Sequence, residues 1–429
     1  MRYYSLNNKA SKVSFSEAVI TGLAPDRGLY FPENIQPLPS SFFENIEEMD
    51  TVEIAYQAIQ QFVGDEIPES ELRAILADVL SFEFPVVPIE DRIGTLELFH
   101  GPTMAFKDVG ARFMARCLGY FNQNNKNNVT VLVATSGDTG GAVAKGFLGV
   151  QGVDVVILYP SGKVSTIQEK QLTTLGQNIT ALETDGVFDD CQDMVKTAFL
   201  DKEITNQKQL TSANSINVAR WLPQLFYFLF AYKQVKHKGK NIIFSVPSGN
   251  FGNICAGIVA KQLGLPVKHF VASTNSNDTV VRYLKTLNYE PRSSKATISN
   301  AMDVGNPSNF IRIQKLFNHN FEELKHSFSA YSFSDEQTKE AMKNIFNTTG
   351  YIADPHGAVG YLGLKEKGIR EDEFGIFLET AHPVKFLDVV ENTLNIEISI
   401  PEQIAEIIHK KKKSISIHNY EELKEFLLA

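Results

Sequence analysis

From residue 128 to residue 274 the chain repeats one pattern, and that pattern limits the folds open to it. A run of β-branched and apolar residues ends in a loop of Ser, Thr, Gly, Asn and Asp, and a helical run follows. Val129-Thr-Val-Leu-Val-Ala134 leads into Thr135-Ser-Gly-Asp-Thr-Gly140, and Gly152-Val-Asp-Val-Val-Ile-Leu-Tyr-Pro160 into Ser161-Gly-Lys-Val-Ser165. Segment 177–185 precedes the helical run Cys191–Leu200, Asn241–Pro247 leads into Ser248-Gly-Asn-Phe-Gly-Asn253, and Val267–Thr274 is a further strand. These runs are apolar at consecutive positions, which marks strands buried on both faces. Helices between such strands are the crossovers that parallel pairing requires. The predicted fold class is therefore α/β with open, mainly parallel sheets.

At 429 residues the chain is long for a single core, so two or three domains are expected. Residues 1–95 differ in texture, with short amphipathic helical stretches such as Glu53-Ile-Ala-Tyr-Gln-Ala-Ile-Gln-Gln-Phe62. They are expected to form a mostly helical N-terminal lobe, followed by one α/β domain over 96–240 and a second over 241–429. A formal charge of −9 argues against a nucleic-acid surface spread over the molecule but leaves room for a local basic pocket. Cys117, Cys191 and Cys255 are scattered without metal-ligand spacing and read as reduced structural residues. No signal peptide or membrane span is visible, so a cytoplasmic protein is expected. Lys410–Lys413 reads as the solvated face of a helix-like segment.

The most unusual local feature is Glu97-Leu-Phe-His-Gly-Pro-Thr-Met-Ala-Phe-Lys-Asp-Val-Gly-Ala-Arg112. An apolar run turns at His100-Gly101-Pro102, and the pattern becomes helical from Thr103, which puts Lys107 near a helix N-terminus. The positive end of the helix dipole disfavours an ammonium group there, and Met104, Ala105, Phe106 and Val109 would desolvate it. Both effects lower the pKa and yield the partly neutral amine that Schiff-base chemistry with an aldehyde needs. These residues alone equally allow a surface lysine that precedes a helix.

Three loops suit anions. Thr135–Gly140 and Ser248–Asn253 each join an apolar strand to a helix start, where backbone N–H groups are unpaired. Ser212-Ala-Asn-Ser-Ile-Asn-Val-Ala-Arg-Trp221 gathers amides, hydroxyls and one guanidinium, a donor set that matches phosphate and also reads as an ordinary helix cap. Neither a Walker ending nor a dinucleotide fingerprint is present. Lys163 reads as a first-turn surface lysine or a phosphate ligand.

His100-Gly-Pro-Thr-Met-Ala-Phe-Lys-Asp108 resembles the cofactor lysine segment of the fold type II (β-family) pyridoxal-phosphate enzymes, and within them the threonine synthase family. The resemblance extends from the N-terminus to about Phe386 through separated motifs in the same order, including Gly22–Pro32, Phe62–Pro68 and Asp354-Pro-His-Gly357. It implies pyridoxal 5'-phosphate carried on Lys107, with Gly249, Asn250, Phe251, Gly252 and Asn253 around the cofactor phosphate and the Thr380 hydroxyl at the ring nitrogen. A hydroxyl there, in place of a carboxylate, would leave that nitrogen largely unprotonated. Ser136, Asp138 and Thr139 correspond to the loop that grips the substrate carboxylate and faces the ring, although Asp138 stands where many relatives carry Asn. Asn214, Ser215, Asn217 and Arg220 correspond to a substrate-phosphate segment. His382 and Lys385 are weaker candidates for phosphate contact, His356 reads as structural, and Ala301–Phe310 is placed near the site.

The implied reaction turns O-phospho-L-homoserine and water into L-threonine and phosphate in a monomer or dimer. A threonine/serine dehydratase of the same fold and a non-catalytic phospho-ligand-binding relative are the alternatives.

Overall fold

The computed structural model describes residues 1–123 and 128–429, and among them the parallel pattern is realised as two principal sheets. One has the strand order Phe328–Ser332, Val267–Thr274, Asn241–Pro247, Glu373–Glu379, Ile93–Glu97, Val86–Glu90, parallel throughout except for the last pair. The other runs Ile415–Ile417, Ile179–Thr184, Val153–Pro160, Val129–Ala134, Gln209–Thr211, all parallel. Inner strands such as Val129–Ala134 and Glu373–Glu379 are buried along their whole length, which accounts for their continuous apolar sequence.

The sheets cut across the segments 1–95, 96–240 and 241–429. Val86–Glu90 and Ile93–Glu97 join the sheet built mainly from residues beyond 240, and Ile415–Ile417 returns to the sheet of 129–211. The N-terminal lobe is mostly helical, as its sequence predicts, with one short antiparallel pair, Tyr3–Ser5 against Tyr30–Pro32. Its longest helix, Thr51–Val63, is capped by Asp50, whose side chain accepts from Glu53 N at 2.8 Å, and it buries Ile54, Ala55, Ala58, Ile59, Phe62 and Val63 on one face. Each large apolar side chain buried in this way contributes about 1.5–3 kcal/mol.

Three local expectations change. The lysine helix starts at Lys107 itself, because Thr103–Phe106 form a turn. The apolar run from Trp221 to Tyr232, whose sequence reads as one helix, is divided: a short helix Val218–Trp221 is followed by a 3-10 turn Leu222–Gln224 and then Leu225–Val235, because Pro223 lacks the N–H an uninterrupted helix would use. Lys410–Lys413 lies beyond the helix Glu402–Ile408, and Lys412 bridges Glu169 and Glu183 at 2.7 Å each.

Five loops leave the carboxyl ends of parallel strands: 98–106 after Ile93–Glu97, 135–137 after Val129–Ala134, 212–217 after Gln209–Thr211, 248–251 after Asn241–Pro247, and 380–382 after Glu373–Glu379. The carboxyl ends of parallel strands are where open α/β sheets place their ligands. Among the described residues no helix is long and apolar enough to cross a membrane.

Candidate active site

The lysine loop is fixed from both sides. Leu98 N donates to Glu379 O at 3.0 Å, Phe106 N to Thr380 O at 2.8 Å, and His382 N to Met104 O at 3.0 Å, so 98–106 and 380–382 hold each other through backbone bonds. Tyr227 Oη donates to Phe106 O, and Arg220 Nη1 to Lys107 O at 3.0 Å. Lys107 is half-buried at the first position of its helix, with Nζ 4.5 Å from the centroid of the Phe106 ring. Burial pulls its pKa down to about 8, with Asp138 and Asp354 opposing and Lys385 and Arg220 reinforcing the shift. An appreciable fraction of the amine is therefore neutral near physiological pH.

In the loop 135–139, Gly137 has φ +139°, and a Cβ there would lie 2.4 Å from Gln168 Cδ, so only glycine fits. The Thr135 hydroxyl ties the turn by accepting from Gly137 N at 2.9 Å and Gly140 N at 2.8 Å. Ser136 and Thr139 are half-buried and keep their hydroxyls available beside the start of the helix Asp138–Phe147. Asp138 differs from expectation. Its Oδ1 lies 2.6 Å from Lys385 Nζ and accepts from Gln168 Nε2 at 3.0 Å. Burial would raise its pKa, but Lys385, Lys107 and these hydrogen bonds hold it below the usual carboxylate range. An ionised carboxylate repels a substrate carboxylate, so Asp138 does not serve as its ligand.

In the segment 212–220, Asn217 also departs from its expected role. Its Nδ2 donates to Val19 O at 2.9 Å and Ser212 O at 3.2 Å, and its Oδ1 accepts from Ala219 N at 3.0 Å, so it caps a helix and anchors the N-terminal lobe. Asn214 and Ser215 are half-buried. Arg220 is only 3% exposed and is braced by bonds from Nε to Ala213 O at 2.7 Å and from Nη1 to Lys107 O, which leaves Nη2 for a ligand. Burial lowers its pKa to about 10, so it remains cationic at neutral pH.

The glycine loop 248–253 is packed from above by 299–309. A Cβ on Gly249 would lie 2.7 Å from Met302 Cα. Asn250 accepts from Ser308 N at 2.6 Å and donates to Ser215 Oγ at 2.7 Å, and Asn309 Nδ2 also reaches Ser215 Oγ at 3.1 Å. With both lone pairs so engaged, the Ser215 hydroxyl proton is left to donate elsewhere. Phe251, at φ +60°, leads into the helix Gly252–Gln262, whose first amides have no helical acceptors. Asn253 is 5% exposed, and neither its side-chain oxygen nor its nitrogen has a partner among the described residues. A buried amide left without partners at a helix N-terminus fits a ligand phosphate. Gly249→Ala is expected to weaken pyridoxal phosphate affinity by about fivefold to somewhat over a hundredfold, from about 1–3 kcal/mol of overpacking, as measured by cofactor titration.

Thr380 is buried, and its hydroxyl makes no hydrogen bond among the described residues. His382 and Lys385 are not free for phosphate. Burial lowers the His382 pKa to about 4, which leaves a neutral ring whose Nδ1 accepts from Val384 N at 3.1 Å. Lys385 is committed to Asp138 and, at 3.0 Å, to Thr103 O. His356 is structural: Nδ1 lies 2.7 Å from Asp354 Oδ1, and Nε2 accepts from Ala301 N at 3.2 Å.

Sequence reasoning missed Arg312. Wholly buried, it donates to Ser215 O at 3.0 Å, Ile216 O at 2.6 Å, Asn309 Oδ1 at 2.6 Å and Tyr30 O at 3.0 Å, and its guanidinium lies 4.5 Å from the Trp221 ring centroid. It joins the N-terminal lobe to the loop 212–217 and to Asn309 of the segment packed over the glycine loop. Arg312→Met is expected to destabilise the protein by about 3 kcal/mol or more, because several buried acceptors lose their donor, and thermal unfolding would register the loss.

Residues 95–376 match the family described as "Pyridoxal-phosphate dependent enzyme". Maize serine racemase, only 16% identical, shares the fold with a TM-score of 0.54 over 73% of this chain and 92% of its own. The fold and the enclosed lysine thus define a fold type II enzyme that depends on pyridoxal 5'-phosphate. Residues 2–79 match "Threonine synthase N terminus" and residues 358–427 "Threonine synthase, C-terminal". The chain is 45% identical to threonine synthase of Haemophilus influenzae, with 94% of each chain covered. Superposition on the crystal structure of threonine synthase from Escherichia coli gives a TM-score of 0.95 at 42% identity, covering 100% of this chain and 99% of that one. For the structure of PLP-bound threonine synthase from Brucella melitensis the TM-score is 0.93 at 33% identity, covering 100% and 98%. The chain belongs to the threonine synthase family.

Proposed function

We propose that the chain converts O-phospho-L-homoserine and water into L-threonine and inorganic phosphate in the cytoplasm. The observation that carries this reading is a second set of anion donors, Asn214, Ser215 and Arg220, joined to the glycine loop through the Asn250 to Ser215 bond. A dehydratase acting on free serine or threonine has no use for a second phosphate site beside that of the cofactor.

The residues divide the work by chemistry. Gly249–Asn253 would hold the cofactor phosphate, and the Thr380 hydroxyl would serve the ring nitrogen without adding a charge. Bound pyridoxal phosphate supplies the electron sink for carbanions next to the substrate nitrogen. Ser136, Thr139 and the amides at the start of the helix Asp138–Phe147 bind the substrate carboxylate. Arg220, Asn214 and Ser215 bind the substrate phosphate and hold it as it leaves Cγ. Lys107, with a pKa of about 8, takes protons from Cα and Cβ and returns protons at Cγ, which phosphate has left, and at Cα, while water adds at Cβ.

Phosphate and amino-acid product, measured together from O-phospho-L-homoserine, test the proposal. Equal amounts of phosphate and threonine are expected. Phosphate accompanied by a 2-keto acid would mean elimination without hydration, and neither product would favour the dehydratase or the non-catalytic reading.

A further inference from the structure

The ion pair of Asp138 and Lys385 is unused by the chemistry above, yet it is bonded through Thr103 O to the loop that presents the lysine on which that chemistry depends. The side chain of Lys385 is 0% exposed and that of Asp138 3%. Two charges removed from water need a strong reason to remain, because burial costs more than an exposed pair returns. The surroundings supply one. Lys385 donates to Thr103 O, which also accepts from Gln171 Nε2 at 3.0 Å, while the Thr103 hydroxyl donates to Asp108 Oδ1 at 2.5 Å. The pair therefore links the helix that starts at Asp138 to the loop that presents Lys107.

We propose that Lys385 is a positioning residue, which neutralises Asp138 and ties it to the lysine loop so that Asp138 does not capture the ammonium of Lys107. This rests on the reading of Lys107 as the amine that bonds the cofactor.

Four charged groups act on Lys107. Asp138 has the largest effect and favours the ammonium; Lys385 is next and opposes it; Arg220 opposes it and Asp354 favours it. Asp108 is turned away into its bonds with Thr103 N and Oγ1. With Asp138 and Lys385 both charged, their effects on the amine oppose each other, and burial has the largest effect on its state. Removing one member exposes Lys107 to the other. Loss of Lys385 leaves the Asp138 carboxylate uncompensated, which favours the protonated amine, whereas loss of the Asp138 charge leaves the Lys385 ammonium uncompensated, which favours the neutral form.

The test is the pH profile of pyridoxal phosphate uptake by the full-length chain, followed by absorbance, together with the kcat/KM profile of the loaded enzyme. Uptake requires the neutral amine, so its rate rises with pH through the amine pKa. The uptake midpoint is expected to move up by about one unit or more in Lys385→Met, down in Asp138→Asn, and back near the unsubstituted value in the double variant. Lys385→Arg, which keeps the charge, is expected to restore it. A merely structural brace would give midpoints that stay in place or move together, and either result overturns the proposal. If Lys385→Met does not fold, the near-isosteric Asp138→Asn still decides the sign, since a downward shift is required. Lys107→Ala separates the two readings. If it takes up cofactor with the same signal, the assignment of Lys107 fails; if it does not, while the pair variants leave the midpoint unmoved, only the role of Lys385 fails.

Discussion

Lys107→Ala is expected to abolish threonine formation, by about four orders of magnitude or more, while the protein stays folded. A positioned acid–base group contributes about 10²–10⁴ in rate, and Lys107 is also the point of covalent attachment, so both contributions disappear together. The fold has little to lose. Among the described residues the Lys107 side chain donates no hydrogen bond, and its Nζ lies 4.5 Å from the centroid of the Phe106 ring. Its charge sits unfavourably at a helix N-terminus in a desolvated position, so deleting it leaves the thermal midpoint unchanged or raises it. Activity, thermal unfolding and the mass of the borohydride-treated protein test this together. Persistent activity, or cofactor still attached after reduction, would remove Lys107 from its role. A pH dependence accompanies the same assignment. Below about 8 the amine is increasingly protonated, so cofactor uptake by the unsubstituted chain slows about tenfold per pH unit, and above that value it levels off.

The parts of this site that were legible in the sequence share a physical cause. Val129–Ala134 and Asn241–Pro247 announce buried parallel strands because both faces are covered, and Thr135–Gly140 and Ser248–Asn253 announce anion loops because a strand-to-helix turn with unpaired amides needs small residues. Lys107 stood out because an ammonium at a helix start among apolar neighbours is locally unfavourable, but those residues equally allowed a surface lysine, and only the family resemblance of 100–108 singled it out. The remainder depended on partners far away in the chain. Asn217 looks like a ligand residue until Val19 O, almost 200 positions earlier, occupies its amide. Asp138 looks like a substitution for Asn until Lys385 arrives from the other sheet, and Arg312 is one cation in a short helix until Tyr30, Ser215 and Ile216 close around it. The segment boundaries at 95 and 240 follow changes in texture, whereas the sheets are completed by strands from either side of them. Local pattern reports burial and backbone needs, but a buried polar side chain is decided by whichever distant group satisfies it.

Arg220 combines both kinds of information, and its substitution separates them. Two of its nitrogens hold Ala213 O and Lys107 O, and the third is left for an anion. Arg220→Ala is expected to lower kcat/KM for O-phospho-L-homoserine by about a hundredfold, mainly through KM, since a hydrogen bond between charged groups contributes about 1.5–3 kcal/mol. The freed Lys107 carbonyl and the loss of a positive charge that disfavours the Lys107 ammonium should weaken cofactor uptake only a few-fold and move its midpoint to higher pH. Arg220→Lys refines the argument. A lysine keeps the charge but cannot hold two carbonyls and a phosphate in one planar fork, so it should recover only part of the KM effect. Equal losses of cofactor and substrate binding in both variants would make Arg220 a brace for the lysine loop and nothing more. A loss confined to the phosphorylated substrate would place its third nitrogen on the leaving group, where a fixed cation stabilises the charge as the bond to Cγ breaks.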